Sequence, residues 1–117
     1  MAMFEVEFTD EFEDWWNTLS VKEQEDLNSD VETLAMVGPS LGHPRVDRVE
    51  KSDYNNMKEL RTQSSGRPLR TFFAFDPRRM AILLIGGDKT GDDRFYERMI
   101  PLADKIYKQH LKEIENG

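Results

Sequence analysis

The chain has 117 residues, 38% hydrophobic and 33% charged, with no cysteine and a formal net charge of −7 at pH 7. That length suits one domain with a single core, spanning residues 1–117, and the balance of apolar and charged residues is that of a globular protein rather than a disordered one. Disulfides and thiolate metal sites are excluded, and the longest apolar run, Met80 to Ile85, is far short of the roughly 18 residues that cross a membrane. No secretory leader is recognisable, so a cytoplasmic location is expected.

Phe4-Glu5-Val6-Glu7-Phe8 alternates apolar and acidic residues, the period of a half-buried strand. Thr9 or Asp10 can then cap a helix whose apolar stripe is Phe12, Trp15, Trp16 and Leu19, spaced i, i+3, i+4, i+7. Ser20 and Glu23 form a capping-box pair for a second helix. Its stripe, Leu27, Val31, Leu34 and Ala35, runs to Val37 and stops at Gly38-Pro39. The expected helical hairpin needs a sheet to bury its apolar stripes. Its outer face carries Glu11, Asp14, Glu25, Asp26, Asp30 and Glu32.

A long connection from Pro39 to Asn56 follows, in which Arg45 to Val49 can form a short strand. Three β-rich runs come next: Met57 to Thr62, Leu69 to Phe75 and Met80 to Ile85. They are punctuated by Gln63-Ser64-Ser65-Gly66-Arg67 and Asp76-Pro77-Arg78-Arg79, which predicts an antiparallel meander. Met99, Leu102, Ala103, Ile106, Tyr107, His110, Leu111 and Ile114 have helical spacing. Pro101, which cannot donate an interior helix bond, is expected to start or kink that helix. The order β-α-α-β-β-β-α, with strand one added to the meander's sheet, defines an α+β domain.

Charge is segregated along the chain. Residues 1–50 hold three Lys/Arg against thirteen Asp/Glu, whereas residues 51–98 hold ten against seven. Lys58, Arg61, Arg67, Arg70, Arg78, Arg79 and Lys89 all fall on or beside the meander. Screening limits charge effects to about 8–10 Å at moderate salt, so a local positive face can hold an anion despite the acidic total. No His/Asp/Glu set has the spacing of metal ligands, and neither metal nor cofactor is expected.

The meander, its flanks and the element order together resemble the HigB-like branch of the RelE/ParE superfamily, toxins of bacterial and phage type II toxin–antitoxin modules. The resemblance is carried by Leu41-Gly42-x-Pro44, Met57-Lys58-Glu59-Leu60-Arg61, Gly66-Arg67-Pro68-Leu69-Arg70 and Phe73-Ala74-Phe75-Asp76-Pro77-Arg78-Arg79. It continues through Gly86-Gly87-Asp88-Lys89-Thr90-Gly91-Asp92, Phe95-Tyr96-Glu97 and Ala103-Asp104. It implies a small RelE-like fold and metal-independent endoribonuclease action on mRNA in the translating ribosome. It also implies neutralisation by a cognate antitoxin of helix-turn-helix type.

RelE-type enzymes use Lys, Arg and Tyr on a concave sheet face and the adjoining helix, and the matching residues are Lys58, Arg61, Arg70, Lys89 and Tyr96. Arg61 and Arg70 are the candidates for phosphate, whose oxygens fit a guanidinium fork. Lys58 or Lys89 can stabilise the transition state or act as base, and Tyr96 can donate a proton or stack on a base. Arg67, Arg78, Arg79, Arg94 and His43 are candidate RNA contacts, while His110 is expected to be exposed or packing. Period two sets Lys58 with Leu60 on one strand face and Arg61 with Glu59 on the other, so a bulge would be needed to bring Lys58 and Arg61 together. Two other functions fit the same resemblance. A ParE-like gyrase inhibitor would lack the arginine cluster, and in a catalytically silent binding module salt bridges would tie the basic residues up.

Overall fold

A computed structural model describes residues 4–117. The elements are β1 (Val6–Phe8), α1 (Asp10–Trp16), α2 (Val21–Val37), a 3-10 turn (Gly38–Ser40), β2 (Val46–Arg48), β3 (Lys58–Ser64), β4 (Arg67–Phe75), β5 (Ala81–Asp88) and α3 (Phe95–Asn116). They form one five-stranded sheet in the order β1-β5-β4-β3-β2. β1 lies parallel to β5 and every other neighbour pair is antiparallel. The short strand anticipated near residues 45–49 is real and adds the edge strand β2.

The expected caps form. The Thr9 hydroxyl accepts from the Phe12 amide at 3.0 Å, and Ser20 and Glu23 make both halves of a capping box. These bonds satisfy amides that a helix start leaves without intrahelical acceptors. α3 begins at Phe95 rather than at Pro101, which sits inside the helix. Burial explains the difference. Phe95, Met99 and Ile100 are all buried against the sheet, so apolar packing holds a first turn that proline chemistry alone would forfeit.

α1 and α2 cover one sheet face, where Phe12, Leu27, Leu34, Leu60, Phe73 and Leu83 pack together. α3 covers the other, over Met57, Phe72, Ala74, Ile82, Leu84 and Tyr107. The register slips by one residue where Phe72 pairs with Ile85 and Phe73 with Leu83. This bulge lies in β5, and it lets both Leu84 and Ile85 join the α3-side core. β3 stays regular. Gly86 and Gly87 let both layers approach: a Cβ on Gly86 would lie within the Trp15 ring of α1, and one on Gly87 would stand 2.8 Å from Phe95 of α3.

The residues between β2 and β3 are fixed to α3. The half-buried Ser52 hydroxyl and the Asp53 amide both donate to Asp104, and Asn56 donates to the Tyr107 hydroxyl at 3.0 Å. That gives the Asp104 of the family pattern a structural task.

Candidate functional site

β3 and β4 set Arg61 directly opposite Arg70. Both point to the α3 side, since Glu59 is two residues from Arg61 and Phe72 two from Arg70, and both of these face α3. Two cations directly opposite across an antiparallel pair repel each other. Here a single buried carboxylate offsets them. Glu59 lies 3.6 Å from an Arg61 terminal nitrogen and 3.5 Å from Arg70 Nε, and it accepts a 2.7 Å hydrogen bond from the Tyr96 hydroxyl. Asp47 of β2 accepts a hydrogen bond from Arg61 at 3.1 Å. Lys89 places its ammonium 5.1 Å from the centre of the Tyr96 ring, a cation–π contact.

The first turn of α3 delivers Tyr96. Phe95 is buried against β5 and packs edge-on to Tyr96 at 5.3 Å, so the next side chain is turned toward the strand ends. Burial pushes the Tyr96 phenol above its ordinary pKa, and the Glu59 hydrogen bond and charge add to this against a smaller opposing effect of Arg70. The phenol is therefore held protonated at neutral pH. Neither arginine is fully satisfied. The Nε donors of Arg61 and Arg70 are buried and have no hydrogen-bond partner among the described residues, although a neutralising carboxylate stands nearby.

Of the five candidates for chemistry, Arg61, Arg70, Lys89 and Tyr96 are brought together. Lys58 is not. It points to the opposite face, as period two requires in a strand without a bulge, and its ammonium donates to the Pro39 carbonyl at 3.1 Å.

The candidate RNA contacts also separate. Arg67 bridges the buried Glu23 and Asp88, at 2.6 Å each, and so ties α2 to the ends of β4 and β5. Arg78 bridges Glu7 and Asp76, at 2.7 Å each, and Asp76 also bonds His110 at 2.9 Å. Arg67 and Arg78 are thus committed to the scaffold and lie outside the cluster. Arg79 is exposed in the β4–β5 turn at φ 65. Arg94 is exposed at the N-cap of α3, and His43 is exposed in the connection before β2.

Sequence reasoning offered Glu59 only as a salt-bridge partner that would tie Arg61 and Arg70 into the sheet, and it passed over Asp47. The signal was present for Glu59, which shares strand parity with Arg61. None existed for Asp47, whose position depends on β2 pairing with β3. Among the described residues, no group of three or more His, Asp or Glu is arranged to hold a metal ion.

The architecture is that of the RelE toxins. A free-state mutant of the E. coli toxin RelE superposes with a TM-score of 0.60, covering 85% of this chain and 96% of that one at 13% identity. Residues 14–108 match the family described as phage-derived protein Gp49-like. Over 106 residues the chain is 45% identical to the Mycobacterium tuberculosis protein named "Putative toxin HigB3", covering 90% of this chain and 91% of that protein. It is 42% identical over 104 residues to "Putative toxin HigB2" of the same organism, covering 87% of this chain and 52% of that longer protein. The chain belongs to the phage-derived Gp49-like family, and so to the HigB-like branch of the RelE/ParE toxin superfamily.

Proposed function

We propose that this toxin cleaves mRNA in the translating ribosome, acting in the cytoplasm, and that Arg61, Arg70, Glu59 and Tyr96 form its site. The observation that carries the reading is the cross-strand arginine pair, gathered with Tyr96 around one buried carboxylate. A phosphodiester offers two non-bridging oxygens to such a pair, and guanidinium groups hold the extra charge of a phosphorane better than they hold the ground state.

Cleavage without a metal uses the neighbouring ribose 2′-hydroxyl. Its oxygen bonds to phosphorus as the bond to the 5′-oxygen breaks. Glu59 accepts the 2′ proton and the protonated Tyr96 phenol gives its own to the leaving 5′-oxygen, leaving a 2′,3′-cyclic phosphate and a 5′-hydroxyl. The 2.7 Å bond between Tyr96 and Glu59 supports the resetting step, in which the proton taken by Glu59 returns to the phenolate. Lys89, over the ring, steadies that phenolate. Partners on this reading are ribosome, mRNA and a cognate antitoxin, the latter of helix-turn-helix type.

One observation favours a silent binding module instead: Glu59 already neutralises both arginines. The test separates the two readings. Purified protein is added to a translating ribosome reaction and new mRNA 5′ ends are mapped, with Arg61→Ala and Arg70→Ala alongside. Translation-dependent cuts ending in a 5′-hydroxyl and lost in both variants are expected. Folded, antitoxin-free protein that leaves the message intact would refute the nuclease reading.

A further inference from the structure

Tyr96 stands at the start of α3, and the outer side of that helix carries a second concentration of cations. At 3.6 residues per turn, Arg94, Arg98, Lys105, Lys108 and Lys112 fall within an arc of roughly 80°. All are exposed, on the side opposite the buried Met99, Ala103, Ile106 and His110. No Asp or Glu falls inside the arc, although Glu97 and Glu115 flank one side of it. The stripe is about 27 Å long at 1.5 Å per residue.

Elsewhere in this acidic chain most cations are committed: Lys22, Arg45, Arg61, Arg67, Arg70 and Arg78 each pair with a carboxylate. On the stripe, Arg98 reaches Asp92 at 2.7 Å, and Arg94, Lys105, Lys108 and Lys112 make no salt bridge with a described residue. Helix stability does not account for them. Only Lys112 approaches the C-terminal end, where a cation is favoured, whereas Arg94 at the N-cap and Arg98 in the first turn oppose the positive end of the helix. Like charges four residues apart, Arg94 with Arg98 and Lys108 with Lys112, repel as well. A bound polyanion would relieve both costs. The acidic hairpin, with Glu11, Asp14, Glu25 and Glu32 exposed, lies across the sheet and leaves the α3 side open to one.

We propose that the α3 stripe is a track for single-stranded RNA, holding the phosphates of the chain that leaves the Arg61–Arg70 cluster. From the cluster the strand rounds the start of α3, where the positive helix end and Arg94 receive a phosphate. It then runs along Arg98, Lys105, Lys108 and Lys112. Rounding a helix about 10 Å across and following about 27 Å of stripe takes about 11 nucleotides at roughly 3.4 Å each. A nucleic-acid duplex, stiff over roughly 150 base pairs, cannot make that turn. The cations contact phosphates, so the track is indifferent to sequence. That the strand is message rests on the nuclease reading; its binding to the stripe does not.

Binding is measured without ribosomes and with 2′-O-methyl RNA, which lacks the attacking hydroxyl, so failure here is distinct from failure of the cleavage assay. Labelled strands of about twelve and about four nucleotides, the longer spanning cluster and stripe, are titrated with the full chain and followed by fluorescence anisotropy. Two variants are compared: Lys105→Gln with Lys108→Gln, and Lys22→Gln with Arg45→Gln, which removes the same charge from the hairpin side. Loss of two phosphate contacts should weaken binding of the longer strand about tenfold or more near 0.1 M salt. The slope of log affinity against log salt should fall by about 1.4. The hairpin variant should stay within about twofold of wild type, because its charges are screened from the track, and the shorter strand should be indifferent to both changes. Absence of saturable binding by the longer strand, equal losses in the two variants, an unchanged salt slope or equal sensitivity of the shorter strand would each overturn the proposal. So would tighter binding of an RNA duplex than of the single strand, or equal binding of oligoglutamate of matched charge.

Discussion

Glu59→Gln tests the site at its centre. The wild-type carboxylate is 6% exposed and faces two guanidinium groups at 3.5–3.6 Å. Removing one member of a buried charge pair costs about 3–5 kcal/mol. Glutamine keeps the volume and an acceptor for Tyr96, and Arg61 retains Asp47 at 3.1 Å, so about 2–3 kcal/mol is the expected loss. With a urea slope near 2 kcal/mol/M, the unfolding midpoint should fall by about 1–1.5 M at neutral pH. If the arginine pair is an anion site, the vacated charge can be replaced from solution. A nucleoside 3′-monophosphate at about 100 times its Kd would restore roughly 2.7 kcal/mol, nearly the whole deficit. Wild type should gain less, because Glu59 competes with the ligand. The Tyr96 phenol should also titrate at lower pH in the variant, since the Glu59 charge that helps to raise it is gone. Destabilisation without recovery, or recovery that persists in an Arg61→Ala, Arg70→Ala background, would refute the reasoning.

Three further substitutions address the scaffold. Asp76 is wholly buried, and burial alone would raise its pKa. Hydrogen bonds from Arg78, His110 and the amides of Arg78 and Met80 outweigh that and hold it below the usual carboxylate range. Its contribution is therefore fully present above the unfolded carboxylate value near about 3.9 and is lost as pH falls through the lower folded value. Asp76→Asn should cost about 3–5 kcal/mol at neutral pH, with the gap from wild type closing below about pH 4; a constant gap across a urea series in pH would contradict this. Gly86→Ala forces a methyl into the Trp15 ring and should cost about 1–3 kcal/mol by overpacking. Gly42→Ala, whose Cβ meets only the Ser40 carbonyl at 4.0 Å, should change thermal stability by less than about 0.5 kcal/mol.

Much of the fold was legible because local signals and burial agree. Thr9, Ser20 with Glu23, and Gly38 delimit the first two helices, and period two separates Lys58 from Arg61. Where the reading went wrong, tertiary packing overrode local chemistry. Pro101 marks a helix start by its own preference, but Phe95, Met99 and Ile100 are buried six residues and fewer before it and extend the helix. The site was half legible. Strand parity puts Arg61 and Glu59 on one face, and pairing in register across the short β3–β4 turn brings Arg70 opposite. Asp47 could not be placed, because its position depends on a three-residue edge strand reached through a long connection.

Counting charges along the sequence gave no way to rank the basic residues of the meander, because the ranking depends on how carboxylates are shared. Arg67 has two acidic partners, Glu23 and Asp88, and Arg78 has two, Asp76 and Glu7. Each of these groups is locally acidic. Around Glu59 the proportion reverses, with Arg61, Arg70 and Lys89 facing Glu59 and Asp47. A negative total of −7 therefore coexists with a small positive cluster set apart from the acidic helical hairpin by the thickness of the sheet, about a Debye length at physiological salt. The total charge governs how the protein approaches a polyanion from afar. What happens once a phosphate is within reach is governed by the arginine pair, and there the deciding quantity is how readily a substrate displaces one buried carboxylate.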